Sequence, residues 1–306
     1  MNRLYALFFI GCLSLSGLVF SFWSEPAQPT GSRTLVDFAG RTVHLKSEQP
    51  KRIISLSPSN TEILYALELG DRLMAVSEYS DYPPEAKQKP RIGGFQSPDI
   101  EQIISLHPDI VFAGSLHTRA VAALTAAGVP VAVVEPKTMQ EVLDAVKLVG
   151  VITGEQDVSE RVTVNLAAQL QTIRDLVSKQ PKQRVFLEVW DEPFMTIGAK
   201  SYLSDIVAQA GGINVAGDKP TDYMTSDFEY LYSLDPDIYI AVNHIGLGRT
   251  LKMSNHPWMQ NLRAVKTGQV HYVPDDILSR PGPRSFEGLV VLAKILHPEI
   301  MKSWAN

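Results

Sequence analysis

The sequence predicts an α/β protein built as two α/β lobes with mainly parallel central sheets, joined by one long rigid helix. Three observations carry this expectation. Ser97 to Gly114 (SPDIEQIISLHPDIVFAG) and Thr225 to Val242 (TSDFEYLYSLDPDIYIAV) share eight of eighteen positions at an offset of 128 residues. Apolar strand-like runs alternate with helical patterns through both copies, the signature of parallel βαβ units. A continuous helical stripe separates the two copies, with apolar residues at Val158, Val162, Leu166, Leu170, Ile173 and Val177.

Taken in order, residues 1–24 read as a signal peptide or an N-terminal anchor. Arg3 is the only charged side chain before Glu25, and Leu4 to Trp23 carry none. Such a run is long enough either to span a bilayer or to be cleaved, with Val19-Phe20-Ser21 as a cleavage site. Phe9-Ile10-Gly11-Cys12 is similar to a lipoprotein signal, which makes Cys12 a candidate for lipidation. Residues 25–33, rich in Pro, Gly and Ser, read as a linker.

The first lobe is expected over 34–150. A strand follows Lys51-Arg52, helical spacing covers Glu62 to Leu69, and a strand covers Leu73 to Val76. The first repeat copy then gives a short helix, a turn at Pro108-Asp109 and a buried strand. Gly128 leads a late strand to Val134, and Met139 to Val149 is helical. The long helix is expected within 151–181, where about 25 residues reach roughly 37 Å. The second lobe, 182–306, opens on a strand after Arg184, ends a helix at Gly211-Gly212, carries the second repeat copy and closes with a strand after Gly268. Ser97 before Pro98 reads as one helix cap, and Ser226 with Glu229 as a capping box for the other.

Composition narrows the chemistry. The chain has 306 residues, 28 Lys+Arg and 33 Asp+Glu, for a net charge of −5, and its one cysteine is Cys12. That excludes a disulfide scaffold, a Cys-ligated zinc site, an iron–sulfur protein and a thiol enzyme. Mild acidity without basic runs argues against nucleic acid as a partner. No G-x-S-x-G, P-loop or G-x-G-x-x-G motif is present, so no catalytic residue and no resident cofactor is expected, and the protein reads as a binder, not an enzyme. His107 and His297 each precede a proline and read as turn residues, while His44, His117, His244, His256 and His271 are scattered.

The candidate site lies at the carboxyl ends of the strands, where open α/β sheets bind ligands. Tyr79 and Tyr82 follow one strand of the first lobe, and Phe95 leads into the repeated helix. Trp190 and Phe194 follow the first strand of the second lobe, and Asp276, Leu278, Arg280 and Arg284 follow its last. Aromatic faces with a few polar groups suit a large, flat, partly apolar ligand. Arg280 and Arg284 stay open between a ligand carboxylate or amide and an acidic neighbour in the protein.

RIISLSPSNTEILYALELG (52–70), SEYSDYPPEA (77–86), PDIEQIISLHPDIVFA (98–113) and SRPGPRSFEGL (279–289) together resemble class III periplasmic binding proteins, the substrate-binding components of ABC importers for vitamin B12 and iron chelates. The resemblance runs from about residue 40 to about residue 300, and the SEYSDYPPEA segment is most similar to cobalamin-binding members. It implies two lobes joined by one long helix, a shallow cleft with small closure, and a monomer placed periplasmically or extracytoplasmically, membrane-associated through a permease or an N-terminal anchor. It implies capture of cobalamin or a related corrinoid for delivery to that permease. The alternative within the family is an iron-siderophore or haem, and behind both stands zinc or manganese binding, which requires the scattered histidines to assemble across the cleft. By position, Tyr79 and Tyr82 fall where cobalamin binders present an aromatic, and Phe95 where they often have Trp. Gly114 and Ile277-Leu278 depart from aromatic positions of the family. Its members dock through a surface glutamate in each lobe. The aligned residues here are Thr118 and Ser279, so Glu101, Glu229 and Glu287 are the nearby docking candidates.

Overall fold

The computed structural model describes residues 33–243, 257–302 and 304. The export segment, Cys12, the linker up to residue 32, His244 and His256 lie outside the described residues. Among those described, no helix is long and apolar enough to cross a membrane.

The first lobe opens with an antiparallel hairpin that the sequence reading left out, β1 (Arg33–Val36) and β2 (Thr42–Leu45). Asp37 builds its turn. One carboxylate oxygen accepts the amides of Ala39 (3.0 Å) and Arg41 (2.9 Å), and the other accepts that of Val133 (3.0 Å). Val43 and Leu45 alternate inward into the lobe core. The main sheet follows with β3 (Ile53–Ser55), α1 (Pro58–Ala66), β4 (Leu73–Val76), α2 (Ile100–Ser105), β5 (Ile110–Ala113), α3 (Thr118–Ala126) and β6 (Val131–Val133). Its order is β4-β3-β5-β6 and every pairing is parallel. Every residue of β3, β5 and β6 is buried, as expected of parallel strands covered by helices on both faces.

Two helices then link the lobes, α4 (Met139–Thr153) and α5 (Gln156–Val177). Gly154 separates them at φ 77°, and a β-carbon there would lie 2.8 Å from the Glu48 carbonyl oxygen, so the reversal needs glycine. The expected stripe of α5 is present over 22 residues, about 33 Å. Val158 and Val162 pack on the first core, and Leu170, Ile173 and Val177 are buried in the second. Helix α4 runs back alongside it and divides in the same way. Met139, Val142 and Leu143 belong to the second core, while Ala145, Val146, Val149 and Ile152 belong to the first.

The second lobe contains β7 (Gln183–Asp191), β8 (Phe194–Ile197), α6 (Tyr202–Gln209), β9 (Gly212–Asn214), β10 (Tyr223–Thr225), α7 (Phe228–Leu234), β11 (Ile238–Asn243), α8 (Arg263–Lys266), β12 (Val270–Pro274), α9 (Asp275–Leu278), α10 (Ser285–Leu296) and α11 (Pro298–Met301). The sheet order is β10-β8-β7-β11-β12, with β9 also on β7. β9, β7, β11 and β12 are mutually parallel, and β8 and β10 add an antiparallel edge.

Two of the eight identities in the repeat are aspartates that play the same part in each copy. The helix caps are Asp99 and Asp227, not Ser97 and Ser226. Asp99 Oδ1 accepts the Gln102 amide (2.9 Å) and Asp227 Oδ1 the Tyr230 amide (2.7 Å). The serines lie one or two residues too early to reach the third helical amide. The second pair ties each copy to the start of a central strand, β3 in the first lobe and β7 in the second. Asp109 Oδ2 accepts the amides of Lys51 (2.8 Å) and Arg52 (2.9 Å), and Asp237 Oδ2 accepts that of Arg184 (3.3 Å). His107, at φ 46°, and His297, between α10 and α11, occupy the chain reversals expected of them.

Asp99→Ala and Asp227→Ala should each lower unfolding free energy by about 1 kcal/mol in urea titrations, whereas Ser97→Ala and Ser226→Ala should stay within about 0.5 kcal/mol of the parent. Equal losses at the serines would refute the cap assignment.

Candidate functional site

The two sheets present the carboxyl ends of their parallel strands to a common cleft of about 1100 Å³. The first lobe contributes Ser57–Ser59 after β3, Glu78, Tyr79 and Asp81 after β4, the Gly93–Ser97 loop, Gly114 and Leu116 after β5, and Glu135–Lys137 after β6. The second contributes Trp190 at the end of β7, Asp222 and Tyr223 at β10, and Pro274–Asp276 with Ser279–Pro281 after β12. Gly93 makes the aromatic loop of the first lobe. It sits at φ 91°, and a β-carbon would approach the Ser97 carbonyl oxygen to 2.7 Å.

Five of the nine residues expected to bind ligand line this cleft: Tyr79, Phe95, Trp190, Asp276 and Arg280. Tyr79 is 56% exposed, so its ring is available to a ligand. Phe95 packs edge-on against His117, with ring centroids 4.9 Å apart at 79°. His117 is itself buried, and its Nδ1 accepts the Gly114 amide at 2.9 Å. Burial pushes the His117 pKa down, which favours the neutral ring that this hydrogen bond requires. The Trp190 indole donates to the Glu192 carbonyl at 2.9 Å, which fixes its plane.

The other four lie elsewhere. Phe194 stacks between Phe186 (5.8 Å) and Phe228 (5.5 Å) in a core cluster of the second lobe, because β8 turns its ring inward. Leu278 is completely buried in the main core of that lobe, because it ends the single turn of α9 on its inner face. Tyr82 stands beside the lining, with the Arg284 guanidinium 3.7 Å from its ring centroid. Arg284 is held there by Glu62, also outside the lining. Glu101, Glu229 and Glu287 are exposed and none lines the cleft. Ser279 does line it.

Sequence reasoning missed Glu62, which organises the boundary. It sits on α1 at 3% exposure. Its Oε1 accepts from Arg280 Nη1 (3.3 Å) and Arg284 Nη1 (3.2 Å), across the lobes. Arg280 also reaches Asp81 and Asp276, each at 2.6 Å. Both arginines are thus ion-paired to protein acids, and Arg280 also lines the cleft. The second oxygen of Glu62 is buried without a hydrogen-bond partner among the described residues. Burial raises the Glu62 pKa from 4.5 to about 7 against the opposing pull of Arg284 and Arg280. A second tie crosses the cleft where Lys137 meets Glu135 (3.1 Å) and Asp222 (3.3 Å). Burial alone would raise the Glu135 carboxyl, but hydrogen bonds from Ser115 and Lys137 outweigh it and hold the pKa below the ordinary value. Among the described residues no group of three or more His, Cys, Asp or Glu side chains is placed to hold a metal ion.

A carboxyl whose pKa is raised on folding favours the fold while protonated, and that advantage disappears as pH rises through its folded pKa. The Glu62 contribution is therefore complete below about 4.5 and lost as pH passes about 7. Glu62→Gln removes the titration. Relative to the variant, the parent should lose about 2–3 kcal/mol of unfolding free energy between about pH 5 and about pH 8. Parallel stability curves for the two proteins would contradict the assignment.

The chain matches the family described as periplasmic binding protein over residues 53–277. It is 31% identical over 242 residues to a vitamin B12-binding protein of Vibrio cholerae, covering 78% of this chain and 86% of that one. It is 30% identical over 278 residues to an ABC transporter substrate-binding lipoprotein of Bacillus subtilis, covering 88% and 87%. The crystal structure of the periplasmic vitamin B12 binding protein of Vibrio cholerae superposes with a TM-score of 0.74 at 29% identity, covering 83% of this chain and 99% of that one. With its two α/β lobes, its helical link and its interlobe cleft, the chain belongs to the periplasmic binding proteins, which capture solutes outside the cytoplasm without transforming them.

Proposed function

We propose that the protein captures cobalamin or a related corrinoid in the interlobe cleft and delivers it to the permease of an ABC importer. The observation that carries this reading is a cleft of about 1100 Å³ lined by aromatic side chains from both lobes, Tyr79 and Phe95 on one side and Trp190 and Tyr223 on the other. Sites for drug-sized ligands run about 300–1,000 Å³, so the cleft stands at the upper end of that range, and rings contributed by both lobes suit a flat macrocycle. Similarity to vitamin B12-binding proteins supports the same ligand class.

Binding needs no bond to form or break. Aromatic faces cover the macrocycle, and rim polar groups such as Asp276 orient its substituents. Tyr82 and Arg284 brace the wall behind them. A siderophore or haem carrying carboxylates would need cations at the rim, but Arg280 and Arg284 are already committed to Glu62, Asp81 and Asp276. Exposed Glu101, Glu229 and Glu287 are the candidates for docking on the permease. The apolar N-terminus after Arg3 supports export, as a cleaved signal, a retained anchor or a lipid attachment at Cys12.

Isothermal titration with cyanocobalamin and cobinamide tests the reading. Tyr79→Ala, Phe95→Ala and Trp190→Ala should each weaken binding by roughly 3- to 10-fold. Phe194→Ala should lower stability and leave affinity within about twofold. Absence of heat with both corrinoids would sink the proposal.

A further inference from the structure

The cleft lining carries an excess of negative charge. Among the described residues it holds six carboxylates, Glu78, Asp81, Glu135, Asp222, Asp275 and Asp276, against two cations, Lys137 and Arg280. The formal excess is four negative charges. Neither cation is free to offset a ligand. Lys137 is shared between Glu135 and Asp222, and Arg280 among Glu62, Asp81 and Asp276. Each is outnumbered by its own partners. Glu78 adds a carboxylate on the first lobe, next to the exposed ring of Tyr79, and Asp275 lies in the lining just after β12.

A concave wall of one sign focuses its potential into the space it encloses. Ionised carboxylates offer acceptors and no donors. Such a rim attracts N–H groups and positive charge, and repels ligand carboxylates whose desolvation it cannot repay. The aromatic faces are indifferent to the sign of a ligand's periphery, so the carboxylates are the part of the site that discriminates.

We infer that this cleft selects its ligand by charge, accepting macrocycles whose rim carries amide N–H groups or net positive charge and rejecting those whose rim carries carboxylates. The inference rests on the corrinoid reading and deepens it. Among corrinoids it assigns the protein to those whose peripheral carboxylates have already been amidated, so a glutamine- or ammonia-dependent amidation must precede capture.

Two matched pairs test it by absorbance or fluorescence titration. One is cobinamide against cobyrinic acid, the same ring bearing amides or carboxylates. The other is a porphyrin with four N-methylpyridinium groups against one with four sulfonatophenyl groups. The amide and cationic members should bind at least about tenfold tighter at about 50 mM salt, and the ratio should shrink at about 500 mM. In the protein carrying Glu78→Gln and Asp275→Asn the ratio should fall severalfold, and Glu78→Gln alone, at an exposed position, gives the same readout if the double variant folds poorly. Equal affinities or a reversed order in either pair overturns the inference. Failure of cobinamide to bind while the cationic porphyrin still outbinds the anionic one overturns the corrinoid reading and leaves charge selection standing. Binding of no member of either pair overturns both.

Discussion

Neither lobe completes its core without helices α4 and α5. The amino-terminal turns of α4 and the carboxyl-terminal turns of α5 fill the second lobe, and the rest of each fills the first. Moving one lobe against the other therefore requires sliding or bending two helices that are buried at both ends. Burial of apolar surface is worth roughly 25 cal/mol per Å², so exposing even part of those stripes is costly. The separation of the sheets, and with it the width of the cleft, follows from packing in the helical pair. Large domain closure of the hinge type would need a flexible crossing, and this one is helical on both passes.

The ion ties across the cleft have a different character. Lys137, Asp222, Asp81 and Asp276 are all partly exposed, and pairs of that kind contribute little net stability. Glu62 is buried, and its raised pKa records that desolvation outweighs the attraction of two arginines. These groups serve placement more than stability. Glu62 and Asp81 hold Arg280 from the first lobe, Asp276 holds it from the second, and the Arg284 guanidinium lies over the Tyr82 ring. The aromatic rim is thereby braced by contacts between lobes that the helices have already positioned.

Much of this was legible in the sequence. The repeat, the strand–helix alternation and the stripe of α5 each arise from periodicity, which survives without knowledge of tertiary contacts. Tyr79, Phe95 and Trp190 could be placed at the cleft because strand ends in such sheets share one side. Phe194 and Leu278 were misplaced because a four-residue strand and a one-turn helix are too short for periodicity to fix which way a side chain points. Tyr223 was missed for the same reason, since β10 is three residues long. Glu62 was hidden differently. Its partner Arg280 lies 218 residues away, so its neighbourhood in the sequence shows only an acid on a short helix with no cation beside it. The caps were misread by one or two residues because Ser and Asp compete for the same role and only backbone geometry decides.

On the proposed reading, affinity and selectivity are divided between different groups of the cleft. Stacking on Tyr79, Phe95, Trp190 and Tyr223 scales with covered area and ignores the sign of what surrounds the ring. It would hold a porphyrin as readily as a corrin. Carboxylates at the rim contribute little to a neutral ring, yet they oppose any ligand that brings anionic groups against them. A binder built only from the first element would be promiscuous among flat macrocycles, and one built only from the second would be weak. The two alternate along the lining: Glu78 precedes Tyr79 and Asp222 precedes Tyr223, while Glu135, Asp275 and Asp276 follow β6 and β12 on residues that carry no ring. Changing the rim while leaving the rings intact would therefore redirect the same cleft to a macrocycle of opposite charge.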